Sequence, residues 1–81
     1  MLYRAKLRGF DLARIEEIVR YSSERYVDHA TGRLVAVGKY ANELILVAYE
    51  TDQGVIRPIT AHVTARTQIE VRIRSGRLGH E

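Results

Sequence analysis

The chain has 81 residues, with 13 Lys and Arg against 10 Asp and Glu and no cysteine. That length makes one domain, residues 1–81, with a small core, and it leaves out disulfides and thiolate metal sites. The longest apolar run, Leu44 to Tyr49, is too short to span a membrane, and Met1 to Lys6 lacks the apolar stretch of a signal peptide, so a cytoplasmic location is the default.

The charge is unevenly placed. Residues 1–54 carry eight Lys and Arg and eight Asp and Glu, whereas residues 55–81 carry five arginines (57, 66, 72, 74 and 77) against Glu70 and Glu81. The guanidinium fork suits phosphates and base edges; the plainer alternative is a solvated basic face.

Leu2 to Arg8 alternates as an edge strand with basic residues outward, and Gly9 ends it. Phe10 to Tyr21 reads as an amphipathic helix with Asp11 as N-cap. Phe10 and Ile15 stand at the two positions of a hydrophobic staple, and Leu12, Ile15, Ile18 and Val19 form the buried stripe. Glu16 and Arg20 stand at i,i+4 on the outer face.

Strand signals follow. Glu24 to Ala30 is the first, and Thr31-Gly32 turns the chain. Arg33 to Tyr40 sets Val35 and Val37 on one face and Leu34, Ala36 and Tyr40 on the other. Ala41-Asn42 turns it back. Leu44 to Glu50 is apolar on both faces, as a central strand is. Thr51 to Gly54 is the next turn, and Val55 to Val63 the last strand of an antiparallel meander. Pro58 cannot donate to a ladder, so it marks an edge, a bulge or an unpaired point, and a bulge there re-aims the residues beyond it. Period 2 sets Thr60, His62 and Thr64 on one face against Ile59, Ala61 and Val63. Residues 67–74 fit a strand or a helix. Thr67 as N-cap, with Glu70 three residues on, favours the helix, and Gly76 ends it.

His62 and Arg66 are the candidate catalytic pair. An imidazole works as general acid or base near neutral pH, and an arginine stabilises developing negative charge. Thr64 can donate to a phosphate oxygen. These groups serve phosphodiester cleavage by a 2′-hydroxyl; a strand histidine beside a surface arginine is the structural alternative. Tyr49 ends the central strand and is the best placed tyrosine to stack on a base, although such tyrosines also serve as half-buried sheet residues. The three histidines lack ligand spacing, so no metal site is expected. No phosphate loop and no nucleophile elbow is present, and no cofactor is implied.

Asp28 with Thr31-Gly32-Arg33-Leu34, then Leu46 to Glu50, then Pro58 to His62 and Thr64-Ala65-Arg66 resemble the BrnT-type branch of the RelE toxin superfamily over about residues 10–78. The resemblance implies an α+β fold: an N-terminal helix on a mostly antiparallel sheet of four to five strands, with a C-terminal helix. It implies the toxin of a type II toxin–antitoxin pair, a metal-independent endoribonuclease acting on mRNA, free or on the ribosome, and neutralised by a small antitoxin protein. His62 and Arg66 carry over as catalytic residues, while Arg57, Arg72, Arg74 and Arg77 would grip RNA with strong salt dependence. The chain departs from better-known members in its few lysines and its single histidine at the strand-to-helix junction. The alternative is a non-catalytic RNA- or protein-binding module using the basic surface or a sheet edge. A homodimer is compatible with a small core and open sheet edges.

Overall fold

The computed structural model describes residues 9–80. The Leu2–Arg8 strand expected from the sequence lies outside them. The order of elements is α1 (Leu12–Tyr21), β1 (Glu24–Asp28), β2 (Arg33–Tyr40), β3 (Glu43–Asp52), β4 (Val55–Thr64), α2 (Arg66–Arg74) and β5 (Leu78–His80). Among the described residues the five strands form one antiparallel sheet in the order β4-β3-β2-β1-β5. The fold is α+β, and no helix among these residues is long and apolar enough to cross a membrane.

The helix α1 starts where Asp11 accepts a hydrogen bond from the Ala13 N–H at 3.0 Å, which satisfies one of the orphan donors of the first turn. Its buried residues are Ile15, Ile18 and Val19. Leu12, expected on the same stripe, is 51% exposed; Phe10 covers that end of the core instead, packed edge-on against Tyr40 at 5.2 Å. The surface ion pair joins Arg14 to Glu17 at 3.5 Å, a contact that contributes little in water.

The helices take opposite faces of the sheet. On one, Ile15, Ile18 and Val19 pack on Ala36, Ile45, Val47, Tyr49 and Ala61. On the other, Ile69 of α2 packs with Tyr26, Val35, Val37, Leu46 and Leu78. This is why Leu44 to Tyr49 is apolar throughout: β3 is central and has a core on each side. Gly38 on β2 permits the close approach of α1, since a Cβ there would lie 2.8 Å from Ile18 Cγ2. Gly38→Ala is therefore expected to destabilise the protein by about 1–3 kcal/mol through overpacking, read as a lower urea midpoint at unchanged slope.

The turns are tighter than the sequence indicated. β3 runs on to Asp52, so the hairpin closes on Gln53 and Gly54 alone, both at positive φ (51° and 82°). That is the two-residue geometry whose twist matches the strands. β1 stops at Asp28 rather than Ala30, because the Gly32 N–H bonds to the Asp28 carbonyl and closes the turn there.

The ambiguous tail is a helix, α2. Its N-cap is Ala65 rather than Thr67, and it makes no side-chain cap bond. β4 holds the chain in the ladder as far as Thr64, which leaves no polar residue at the cap position. Gly76, at φ 84°, follows the end of the helix in the left-handed conformation glycine favours. β5, which the sequence did not announce, then pairs Leu78–His80 with β1.

Candidate functional site

The site is built by a β-bulge. Ala48 pairs with Thr60 while the next residue, Tyr49, pairs with Pro58, so Ile59 is the extra residue on β4. A one-residue slip reverses the facing of every side chain beyond it. Before the bulge the odd positions face α2; after it the even ones do. Arg57 thus joins Thr60, His62 and Thr64 on a single face instead of standing opposite them. Ile56 and Ala61, of opposite parity, both pack in the α1 core, as the flip requires. Pro58, which has no N–H to give the ladder, sits beside the bulge and is buried.

On this face His62 lies in a cross-strand row with Leu46, Val37 and Glu24. Three strand spacings separate His62 from Glu24, about 14 Å. The row decides what Arg66 can do. The Arg66 Nη1 bonds Glu24 Oε2 at 2.5 Å, so its guanidinium is held at β1, across the sheet from His62. The pair His62 and Arg66, expected to act together, is not brought together on one reacting phosphate.

Arg72 takes the place expected of Arg66. Burial first, and the positive charge of Arg72 second, hold the His62 imidazole below its ordinary pKa, so it is neutral at pH 7. Helical geometry explains the exchange: with Ile69 pointing at the sheet, Arg66 and Arg72 project about 60° to either side. Gln68 lies on the Arg72 flank, and its side-chain carbonyl accepts from the Thr64 hydroxyl of β4 at 3.2 Å. A shallow groove of about 340 Å³ runs along α2 past Thr67, Gln68, Val71 and Arg72.

The other C-terminal arginines are paired. Arg57 stands 4.0 Å from Asp52, and Arg74 is 3.9 Å from Glu70 on the outer side of α2. Arg77 donates to both oxygens of Asp28, at 3.0 and 3.3 Å. Among the described residues, Arg72 alone of the five has no carboxylate partner. A second hollow of about 490 Å³ lies at the hairpin end of the sheet, beside Gly32, Arg33, Glu50 and Arg57, where Arg33 and Glu50 pair at 3.4 Å.

Two expected contact residues are not free to meet a ligand. Tyr49 is 2% exposed; its face turns toward α1, its hydroxyl accepts from Arg25 Nη1 at 2.8 Å, and its ring has no open side for a base. Thr64 is buried and bonded to Gln68, so its hydroxyl serves the junction. No group of three or more His, Cys, Asp or Glu side chains that could hold a metal ion occurs among the described residues.

Glu24 belongs to this face although nothing local in the sequence marks it, since Arg66 and Tyr26 both donate to its carboxylate. Burial alone would raise its carboxyl pKa, but hydrogen bonds from Arg66 and Tyr26 outweigh that and leave it low. Tyr26 donates to the same carboxylate at 2.6 Å, and burial with that contact pushes its phenol up to about 12. Asp28 follows the same logic: burial raises it, and Arg77 with the Ala30 N–H brings it below the usual range. The lowered groups share a sign. Each binds a proton more readily unfolded than folded, so each contributes stability above its unfolded pKa and loses it as pH falls. Acid titration of stability should therefore show a shallow loss below the ordinary histidine range, from His62, and a steeper one through the carboxylate range, from Glu24 and Asp28. Thermal melts across pH 3–8 check this, and His62→Ala should remove the shallow step alone.

The α+β class is thus defined by one antiparallel sheet between two helices, with an open strip along β4. Compared with known proteins, the chain matches no family model, no curated protein and no solved structure.

Proposed function

We propose that this protein is a metal-independent endoribonuclease, the toxin of a type II toxin–antitoxin pair, with RNA lying along the strip that carries Arg57, Thr60 and His62 beneath Arg72. The single observation that carries the reading is that β4 and α2 bring His62 and Arg72 to one face, close enough for the charge of Arg72 to lower the His62 pKa. The imidazole is neutral, Arg72 has no carboxylate partner, and every other C-terminal arginine is engaged.

The chemistry follows from these two groups. Neutral His62 takes the proton of a ribose 2′-hydroxyl. The oxygen attacks the adjacent phosphorus, the bond to the 5′-oxygen breaks, and the imidazolium returns its proton to that leaving oxygen. Arg72 neutralises the charge that builds on the phosphoryl oxygens. The products are a 2′,3′-cyclic phosphate and a 5′-hydroxyl. On this reading the protein works in the cytoplasm on mRNA, free or on the ribosome, and its partner is a small antitoxin protein.

Expression in bacteria tests it. Wild type should arrest growth, while His62→Ala and Arg72→Ala should not. Equal arrest by all three would refute the assignment, and no arrest by wild type would count against toxicity. A second reading, a non-catalytic binding module on the same face, is favoured by one feature: the neighbours of His62 on its face of the ladder are Leu46, Thr60 and Thr64, none of which is a general acid near neutral pH. Purified protein that retains RNA on a filter yet leaves it intact at high concentration would establish that reading instead.

A further inference from the structure

α2 is held to the sheet by little apolar contact. Ile69 is its one buried residue, with Ile73 half-buried beside it; it has no side-chain N-cap, and Val71 on its outer side is 60% exposed. One buried side chain fixes the height of a nine-residue helix over a sheet but leaves its roll poorly determined. Roll matters here, because the side chains at 66 and 72 lie on opposite flanks, so a roll that brings one toward the sheet lifts the other away.

Polar ties supply what the core does not. On the β4 flank, Thr64 bonds Gln68. On the β1 flank, Arg66 bonds Glu24. Glu24 is itself fixed: Tyr26, 7% exposed, donates to its carboxylate, and the Ser22 hydroxyl accepts from its backbone N–H at 3.1 Å. The Arg66 tie therefore ends on a rigid post and not on a mobile surface carboxylate. An exposed ion pair between two free side chains has little effect; one whose acceptor is held in advance loses less entropy on forming.

We propose that Glu24 and Arg66 are positioning residues, whose bond sets the roll of α2 and thereby holds Arg72 over His62. Arg66, which by residue type and place in the chain resembles a catalytic arginine, acts through Arg72. The use of the site on RNA rests on the function proposed above, but the mechanical claim does not, and its test needs no RNA.

The test is a double-mutant cycle read at the His62 ring protons by NMR titration. The groups nearest it on its face are Thr60 and Thr64 on β4, Leu46 and Ala48 on β3, and Gln68 and Arg72 on α2, of which Arg72 is the charged one; Arg57 on β4 and Glu50 on β3 stand further along the same face, and Glu24 and Arg66 lie across the sheet at β1. Arg72→Gln should move the His62 midpoint upward. Arg66→Ala and Glu24→Gln should each move it upward part of the way, because the freed helix carries Arg72 off. Arg66→Ala added to Arg72→Gln should then change nothing further. A merely structural role for Arg66 predicts lower stability with the midpoint unmoved, and that result would overturn the proposal. So would an equal shift by Arg66→Ala with and without Arg72. If Arg66→Ala folds too weakly to titrate, the exchanged pair Glu24→Arg with Arg66→Glu serves in its place. Restoring the wild-type midpoint supports the tie, and a midpoint as high as that of Arg72→Gln refutes it. Absence of RNA cleavage by wild type would sink the proposed function and leave this cycle as readable as before.

Discussion

His62→Ala is expected to lower the rate of RNA cleavage by about 10²-fold or more, the usual scale for loss of a general base. Arg72→Ala should lower it by about 10²–10³-fold, as removal of one transition-state donor does elsewhere. The two losses should be far from additive, since both groups act on the same phosphate and neither completes the reaction alone. Arg57→Ala should instead weaken binding and flatten its salt dependence with little change in the rate at saturation. The comparison that separates this account from the one the sequence offered is Arg66→Lys. A catalytic arginine tolerates lysine poorly, because the bidentate fork is lost. A clamp to Glu24 needs mainly charge and reach, so Arg66→Lys should retain most of the activity. Single-turnover cleavage of a short RNA at pH 7 measures all four, with protein saturating for the rates and titrated at several salt concentrations for Arg57→Ala.

The second large effect is on stability. Ile69→Ala should cost about 2–5 kcal/mol, the range for emptying a buried aliphatic site. Ile69 is 1% exposed and is the single buried residue of its helix, so its removal leaves Ile73, half-buried beside it, as the one apolar contact α2 keeps with that core. A domain of this length has a total stability of only about 4–12 kcal/mol. The variant should accordingly lose a large part of its urea midpoint and lose activity before it unfolds globally. Val71→Ala, two residues on and 60% exposed, should leave the midpoint within about 0.5 kcal/mol of wild type.

Much of the fold is legible in local patterns. Asp11 and the Ile15, Ile18, Val19 stripe define α1, the alternation of Val35 and Val37 against Leu34 and Ala36 defines β2, and the two-sided apolar run Leu44 to Tyr49 marks β3 as central. These features depend on period and cap chemistry within a few residues. Pro58 announced the bulge but not its consequence, because which face Arg57 takes depends on whether the extra residue falls before or after it in the ladder with β3. β5 has three residues, too few for any period, and exists because β1 offers an edge to pair with.

The site was half legible for the same reason. His62 stands where the alternation put it. The engagement of Arg66 is not legible, because its partner, Glu24, is 42 residues away in sequence and reaches it only through strand order. The burial of Tyr49 is not legible either, because a strand-end aromatic reads as exposed unless the helix covering its face is known. Arg72 could have been found: once residues 66–74 are taken as a helix with Ile69 inward, position 72 is the arginine on the β4 flank.

The most direct test of the central claim is an NMR footprint with a short RNA made uncleavable by 2′-deoxy substitution. The amides of Thr60, Ala61, His62, Val71 and Arg72 are expected to shift together on titration, Arg57→Ala to move the titration to higher RNA concentration, and α1 and β5 to stay silent. Shifts centred on α1, or on Asp28 and Arg77 with His62 unmoved, would contradict the claim.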